Sequence, residues 1–132
     1  KNYQEAITAL TFVSKNTTQS TASEAKWTIA KIYFDQDKLQ EADYTAKEVL
    51  KMKPTYDYWI AKSLILQTHI LVKQDDLFQA EQTILSVIEQ YPDDNDGIKM
   101  EAQGVYDELM QLKNTPKSSL APEGTTVIEI NE

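Results

Sequence analysis

The side chains that could support chemistry are few, and the first is the lone histidine, His69. A histidine can transfer protons, respond to pH or ligate a metal. The chain has no second histidine and no cysteine to complete a transition-metal site. Ser63, Thr68 and Ser86 lie in helical segments without the histidine–acid order of a triad, and no glycine-rich phosphate loop occurs. The sequence therefore predicts a protein that is not an enzyme and uses no cofactor, with His69 as an ordinary helix-face residue.

An acidic run, Asp93-Asp94-Asn95-Asp96-Gly97, suggests a calcium site. A calcium loop of the EF-hand type anchored on Gly97 requires an acidic residue at position 92 and a glutamate at position 103. Pro92 and Gln103 occupy those positions. Acidic side chains also stabilise the start of a helix, where backbone N–H groups lack partners. The run therefore predicts a helix cap, and the sequence predicts no metal site.

Composition narrows the possible partners. The chain has 132 residues, a net charge of −8 and 13 basic residues, all of them lysine. Nucleic-acid binding usually requires a basic face with arginine, and an anionic membrane surface also attracts basic proteins. The charge therefore argues against both partners. No apolar run approaches the ~18 residues that span a bilayer. The 3 glycines and 4 prolines favour long helices over a β fold with many turns.

One sequence pattern occurs twice in the chain. Residues 36–42 return as residues 74–80 at an offset of 38 residues. A fainter copy at residues 3–6 matches residues 39–42 at an offset of 36. A period of this size is typical of stacked helical repeats, in which each helical hairpin needs its neighbours to cover its apolar face.

Apolar residues at helical spacing predict six helices. Thr21, followed by Glu24, forms a capping box for the second helix, Pro54 ends the third and Thr55 caps the fourth. The last helix has no following partner, and we interpret it as a capping helix. The predicted bounds are about residues 2–14, 22–34, 39–52, 56–73, 77–90 and 97–113.

Residues 114–132 differ from the rest of the chain. Pro116, Pro122 and Gly124 disfavour a helix, whereas residues 125–130 have β character. Val127, Ile128 and Ile130 gain nothing from ordering in water. We therefore predict an extended tail in which residues 126–130 dock on an apolar surface of the same chain or of another copy. Docking on another copy would make the protein self-associate through the tail.

The repeated units resemble the tetratricopeptide repeat family. Thr68 in the second unit replaces a small apolar residue of the family, and Asp37 and Asp75 lie near the position of its turn glycine. In the unit at residues 23–54, the family's small, aromatic, alanine and proline positions are filled by Ala30, Tyr33, Ala42 and Pro54. In the next unit, three of these positions are filled by Leu71, Ala80 and Pro92.

The resemblance implies an all-α fold of right-handed antiparallel helical hairpins. Residues 1–113 would then form the second helix of one repeat, two full repeats and the capping helix, as the C-terminal part of a larger bacterial protein. Such repeats bind peptides in a concave groove that is lined by the first helix of each repeat. Projected onto this chain, the groove comprises Trp27, Lys31, Phe34 and Asp35 on one helix and Lys62, Ile65, His69, Val72 and Lys73 on the next.

Two functions remain open from the sequence. The first is non-catalytic binding of a protein or peptide segment, since two aromatic residues beside three lysines suit an extended, acidic or C-terminal segment. The second is a structural spacer or oligomerisation segment whose groove holds its own tail. Trp27 and Phe34 are exposed in the first case and packed between helices in the second. Similar bacterial repeat proteins often occupy the cell envelope. By that analogy we expect this protein in the cell envelope, with the cytoplasm as the alternative.

Overall fold

The computed structural model describes residues 2–16 and 20–115, with the backbone alone for residues 13–16. Within these residues the fold is all-α, with six helices and no strand. No described helix is both long enough and apolar enough to span a bilayer. The helices are α1 (Tyr3–Asn16), α2 (Ser20–Asp35), α3 (Leu39–Lys51), α4 (Asp57–Lys73), α5 (Leu77–Gln90) and α6 (Ile98–Asn114).

The six predicted helices are all present, but two predicted caps are wrong. Helix α2 begins at Ser20, so Thr21 lies within the helix. The N-cap of α4 is Tyr56, whose side chain makes no capping hydrogen bond, and Asp57 places an acidic side chain in the first turn instead of a cap at Thr55. Helix α6 includes Asn114, which was predicted to belong to the tail. The predicted docking of residues 126–130 lies outside the described residues.

The turns that follow α2 and α4 are built alike. Asp37 and Asp75 adopt left-handed backbone angles, with φ of 63° and 61°. After α2, the Lys38 N–H donates to the Tyr33 carbonyl, and after α4 the equivalent Asp76 N–H donates to the Leu71 carbonyl, both at 2.9 Å. This is the Schellman ending of a helix, which usually requires glycine at the left-handed position. Aspartate is one of the few other residues that adopt this conformation readily, so it substitutes for glycine in both turns.

The predicted capping of α6 by the acidic run is found only in part, because no side chain occupies the N-cap position and one carboxylate, that of Asp96, accepts from the first helix N–H. Gly97 is the N-cap, with a left-handed φ of 90°. One carboxylate oxygen of Asp96 accepts from the Ile98 N–H at 3.1 Å, and the other accepts from the buried Tyr91 hydroxyl. Burial and the Asp96 carboxylate raise the pKa of Tyr91 above its ordinary value. The loop therefore ties the end of α5 to the start of α6.

Helix contacts follow a regular order. Each helix contacts the next along the chain, and α4 also contacts both α2 and α6. Two apolar clusters result, one among α2, α3 and α4 around Ala30, Ala42 and Ile70, and one among α4, α5 and α6 around Ile65, Ile84 and Leu109. Helix α4 contributes to both clusters. It therefore holds α2 and α6 in fixed positions on either side of itself.

The alanines at the repeated position are fully buried. Ala42 and Ala80 are both 0% exposed, as the repeat register predicts. A small side chain at each site lets two helices approach closely, so a larger one forces the helices apart.

We predict that Ala80→Leu lowers the free energy of unfolding by ~1–3 kcal/mol, because the added carbons overpack a closed contact. Urea denaturation measures this change. Gln82→Leu, at an exposed position of the same helix, is the control and should change stability by less than ~0.5 kcal/mol. Equal effects of the two substitutions would contradict the assigned register.

Candidate functional site

Most of the residues predicted to line a groove lie on facing sides of α2 and α4. Trp27 and Phe34 are seven residues apart on α2, a separation of roughly 10 Å along the helix axis. Lys31 stands between them on the same face at i+4 from Trp27. We call the surface formed by these residues and by Lys62, His69 and Lys73 of α4 the α2–α4 face.

One end of the α2–α4 face is built on Trp27. Its indole N–H donates to the carbonyl of Lys62 at 3.1 Å, which ties the two helices together. The Lys62 ammonium lies 4.9 Å from the centre of the Trp27 ring, within the range of a cation–π contact. The same ammonium is 3.4 Å from a carboxylate oxygen of Glu101 on α6. Three helices therefore meet at this end.

The other end repeats this arrangement around Phe34. The Lys73 ammonium lies 5.3 Å from the centre of the Phe34 ring and 3.6 Å from a carboxylate oxygen of Asp37. The His69 ring packs against the same phenyl ring, with 6.3 Å between ring centres. Lys31 pairs with Asp35 at 2.8 Å. The structure thus brings the predicted aromatic and basic residues of the two helices together.

Two predicted groove residues do not belong to the α2–α4 face. Ile65 is 2% exposed and lies in the core cluster of α4, α5 and α6, so its assignment to the groove is wrong. Val72 is half-buried and packs against the same cluster. The cause is α6, whose Ala102 and Leu109 share that cluster with Ile65. The groove was predicted from α2 and α4 alone, without the packing of α6 on α4.

The projection also missed two aromatic residues at the start of α4. Trp59 lies 5.8 Å from Trp27 between ring centres, and Tyr58 meets Trp59 edge to face at 4.9 Å. Tyr58 is partly exposed. Trp59 precedes Lys62 by three residues and therefore lies on the same side of the helix. This spacing could have predicted Trp59 as a residue of the face. These rings extend the α2–α4 face beyond Trp27.

Trp27 and Phe34 are neither free nor fully packed. Both are half-buried and pack against the cluster of α2, α3 and α4 with part of each ring in solvent. The part of each ring that remains in solvent can contact a ligand, while the packed part keeps the ring in place. The three lysines all lie within ion-pair distance of a carboxylate. The face is therefore aromatic and charge-balanced rather than strongly basic.

Two clefts lie away from the α2–α4 face and occupy equivalent places in the repeat. The first, of about 510 Å³, is bounded by α1, α2 and α3 and includes Ile29 and Thr45. The second, of about 390 Å³, is bounded by α3, α4 and α5 and includes Gln67 and Thr83. Gln67 and Thr83 stand 38 positions after Ile29 and Thr45, respectively. Neither cleft was predicted from the sequence.

Comparison of the chain with protein-family models, with curated proteins and with solved structures found no match.

His69 lies in a mixed electrostatic environment. Burial lowers the pKa of His69 below its ordinary value of 6.5, the carboxylates of Glu101 and Glu108 oppose that shift, and Lys31 adds to it. The unfolded chain therefore binds more protons than the folded chain as the pH falls through about 6.5. The stability contributed by neutral His69 is complete above that pH and is lost as the pH falls towards the folded-state pKa.

We predict that the single histidine signal in proton NMR titrates below pH 6.5. Lys31→Met should raise the pKa of His69, because a neighbouring positive charge is removed. Lys47→Met, on the outward side of α3, is the control and should leave the titration unchanged. A Lys31→Met protein with the same or a lower pKa of His69 would contradict the placement of Lys31 beside His69.

Proposed function

We propose that the chain is a non-catalytic scaffold of tetratricopeptide-like helical hairpins that binds a peptide segment of another protein on its α2–α4 face. The observations in favour of a right-handed solenoid are the two identical helix endings, the pair of equivalent clefts and the contacts of α4 with both α2 and α6. In such a stack, α2 and α4 are the first helices of successive repeats, which are the helices that line the binding surface of the tetratricopeptide family.

The observation that carries the proposal is the repeated pairing of an aromatic ring on α2 with a lysine on α4. Lys62 lies over Trp27 and Lys73 over Phe34. Each pair presents the solvent-exposed part of an aromatic ring and an ammonium group at one place. An extended peptide can lay apolar groups on the rings and direct carboxylates to the lysines. We therefore propose an acidic, extended segment or a free C-terminus as the ligand.

The alternative is that the repeats act as a structural spacer or an oligomerisation segment. The packing of Trp27 and Phe34 against the α2–α3–α4 cluster favours this reading, because rings that stabilise the fold need no ligand. The two functions differ in the role of the half-buried rings. A spacer requires only their bulk, whereas a peptide-binding surface requires their aromatic character.

A selection of random short peptides on the immobilised protein tests the proposal. We predict enrichment of peptides rich in Asp and Glu, and we predict that Phe34→Leu weakens the binding of an enriched peptide by about 3- to 10-fold. The reason is that leucine keeps most of the apolar packing but removes the aromatic face that stacks on the ligand, worth ~0.5–1.5 kcal/mol. Fluorescence anisotropy of a labelled peptide measures the affinity.

The matched control is Phe78→Leu, which makes the same change at an aromatic residue of α5 that is 65% exposed and lies away from the α2–α4 face. This variant should bind the peptide like the unaltered chain. Absence of any enriched peptide, or equal weakening by the two substitutions, would favour the spacer.

A further inference from the structure

Every lysine of the α2–α4 face already has a carboxylate beside it. Lys31 pairs with Asp35, Lys62 with Glu101 and Lys73 with Asp37, at nitrogen–oxygen distances of 2.8, 3.4 and 3.6 Å. The three carboxylates come from the last turn of α2, the first turn of α6 and the turn after α2. They stand where the carboxylates of a bound acidic ligand would have to stand.

Two of the three ammonium groups, those of Lys62 and Lys73, are less exposed than their carboxylate partners, whereas Lys31 and Asp35 are exposed alike, at 43% and 40%. The rings of Trp27 and Phe34 lie beneath the ammonium groups of Lys62 and Lys73, and the Lys62 side chain is only 19% exposed. The carboxylate side chains are 40% exposed for Asp35, 41% for Glu101 and 76% for Asp37. An exposed carboxylate that leaves its lysine is rehydrated at little cost. The lysine can remain over its ring while the carboxylate is exchanged for another.

We propose that Asp35, Asp37 and Glu101 are specificity-determining residues that compete, within the molecule, with the carboxylates of the ligand. The proposal rests on the proposed function of the α2–α4 face. A peptide without carboxylates leaves all three ion pairs intact and gains only contacts with the rings. An acidic peptide replaces the internal carboxylates and gains charge-assisted hydrogen bonds from the lysines. A peptide therefore binds more tightly only if its own carboxylates reach the lysines and replace the internal carboxylates.

The competition also explains how an acidic protein can bind an acidic segment selectively. The net charge of −8 repels any anion at long range, and this repulsion does not distinguish one acidic sequence from another. Exchange at three ammonium positions, two of them held over a ring, does distinguish them, because it requires carboxylates at matching spacings. Unpaired lysines would attract any anion, whereas paired lysines yield only to a ligand that satisfies them in place of their partners.

The test measures the affinity of a fluorescein-labelled peptide of alternating Glu and Pro and of its Gln-for-Glu counterpart. The variants are Asp35→Asn, Asp37→Asn and Glu101→Gln, each of which keeps the side-chain size. Asparagine also tolerates the left-handed backbone of residue 37. Each variant should bind the Glu peptide about two- to fivefold more tightly, or about 0.4–1 kcal/mol. The affinity for the Gln peptide should not change.

Asp43→Asn is the matched control. It removes an ion pair with Lys47 of the same spacing and the same 2.8 Å distance as Asp35 with Lys31, and it changes the net charge equally. Asp43 also accepts from Gln67, which lies roughly 200° around α4 from His69, on the side away from the α2–α4 face. The control should leave the affinity for the Glu peptide unchanged.

Each outcome decides between specific claims. Tighter binding of the Glu peptide by the three variants but not by the control supports competition at the lysines. Equal tightening by Asp43→Asn means that bulk charge is responsible and overturns the proposal, and so does unchanged affinity in the three variants. If neither peptide binds any of these proteins, the proposed function itself fails and the competition fails with it.

Discussion

The close approach of helices at buried alanines is the constraint on which the rest of the structure depends. Ala30, Ala42, Ala80 and Ala102 are all 0% exposed, and they lie on α2, α3, α5 and α6. Small side chains at these contacts let α4 pack against helices on both of its sides. The positions of Lys62 over Trp27 and of Lys73 over Phe34 follow from that packing, because each ring and its lysine belong to different helices. The α2–α4 face is therefore a consequence of helix spacing as much as of residue choice.

The α2–α4 face combines aromatic rings that are held in place with ion pairs that can exchange. The rings are fixed by packing on the core and, for Trp27, by the hydrogen bond from its indole to the Lys62 carbonyl. The charges are arranged in exposed pairs that hold little energy individually. A surface of this kind presents a rigid apolar base under exchangeable ionic contacts. Rigid rings limit the entropy lost when a ligand binds, whereas exchangeable ion pairs allow the ligand's own charges to determine selectivity.

Much of the architecture was predictable from the sequence because local physics dictates it. Helical spacing of apolar residues predicted all six helices, and the repeat at 38 residues predicted equivalent turns at Asp37 and Asp75. The site was predictable only in part. Ile65 is buried because α6 packs on α4, and the pairing of Lys62 with Glu101 joins residues 39 positions apart. Both features depend on how a third helix docks, which periodicity within α2 and α4 does not specify.

The central claim is that the half-buried rings of α2 and the lysines of α4 form one ligand surface. Chemical-shift mapping with an acidic peptide enriched on the protein tests it most directly, because the Trp27 indole N–H, the Phe34 ring protons and the His69 ring protons report separately from the outer surface. The account predicts the largest shifts at Trp27, Phe34 and His69, and small shifts at Tyr44 and Thr45 beside the cleft of α1, α2 and α3. Large shifts confined to Tyr44 and Thr45, with Trp27 and Phe34 unmoved, would contradict it.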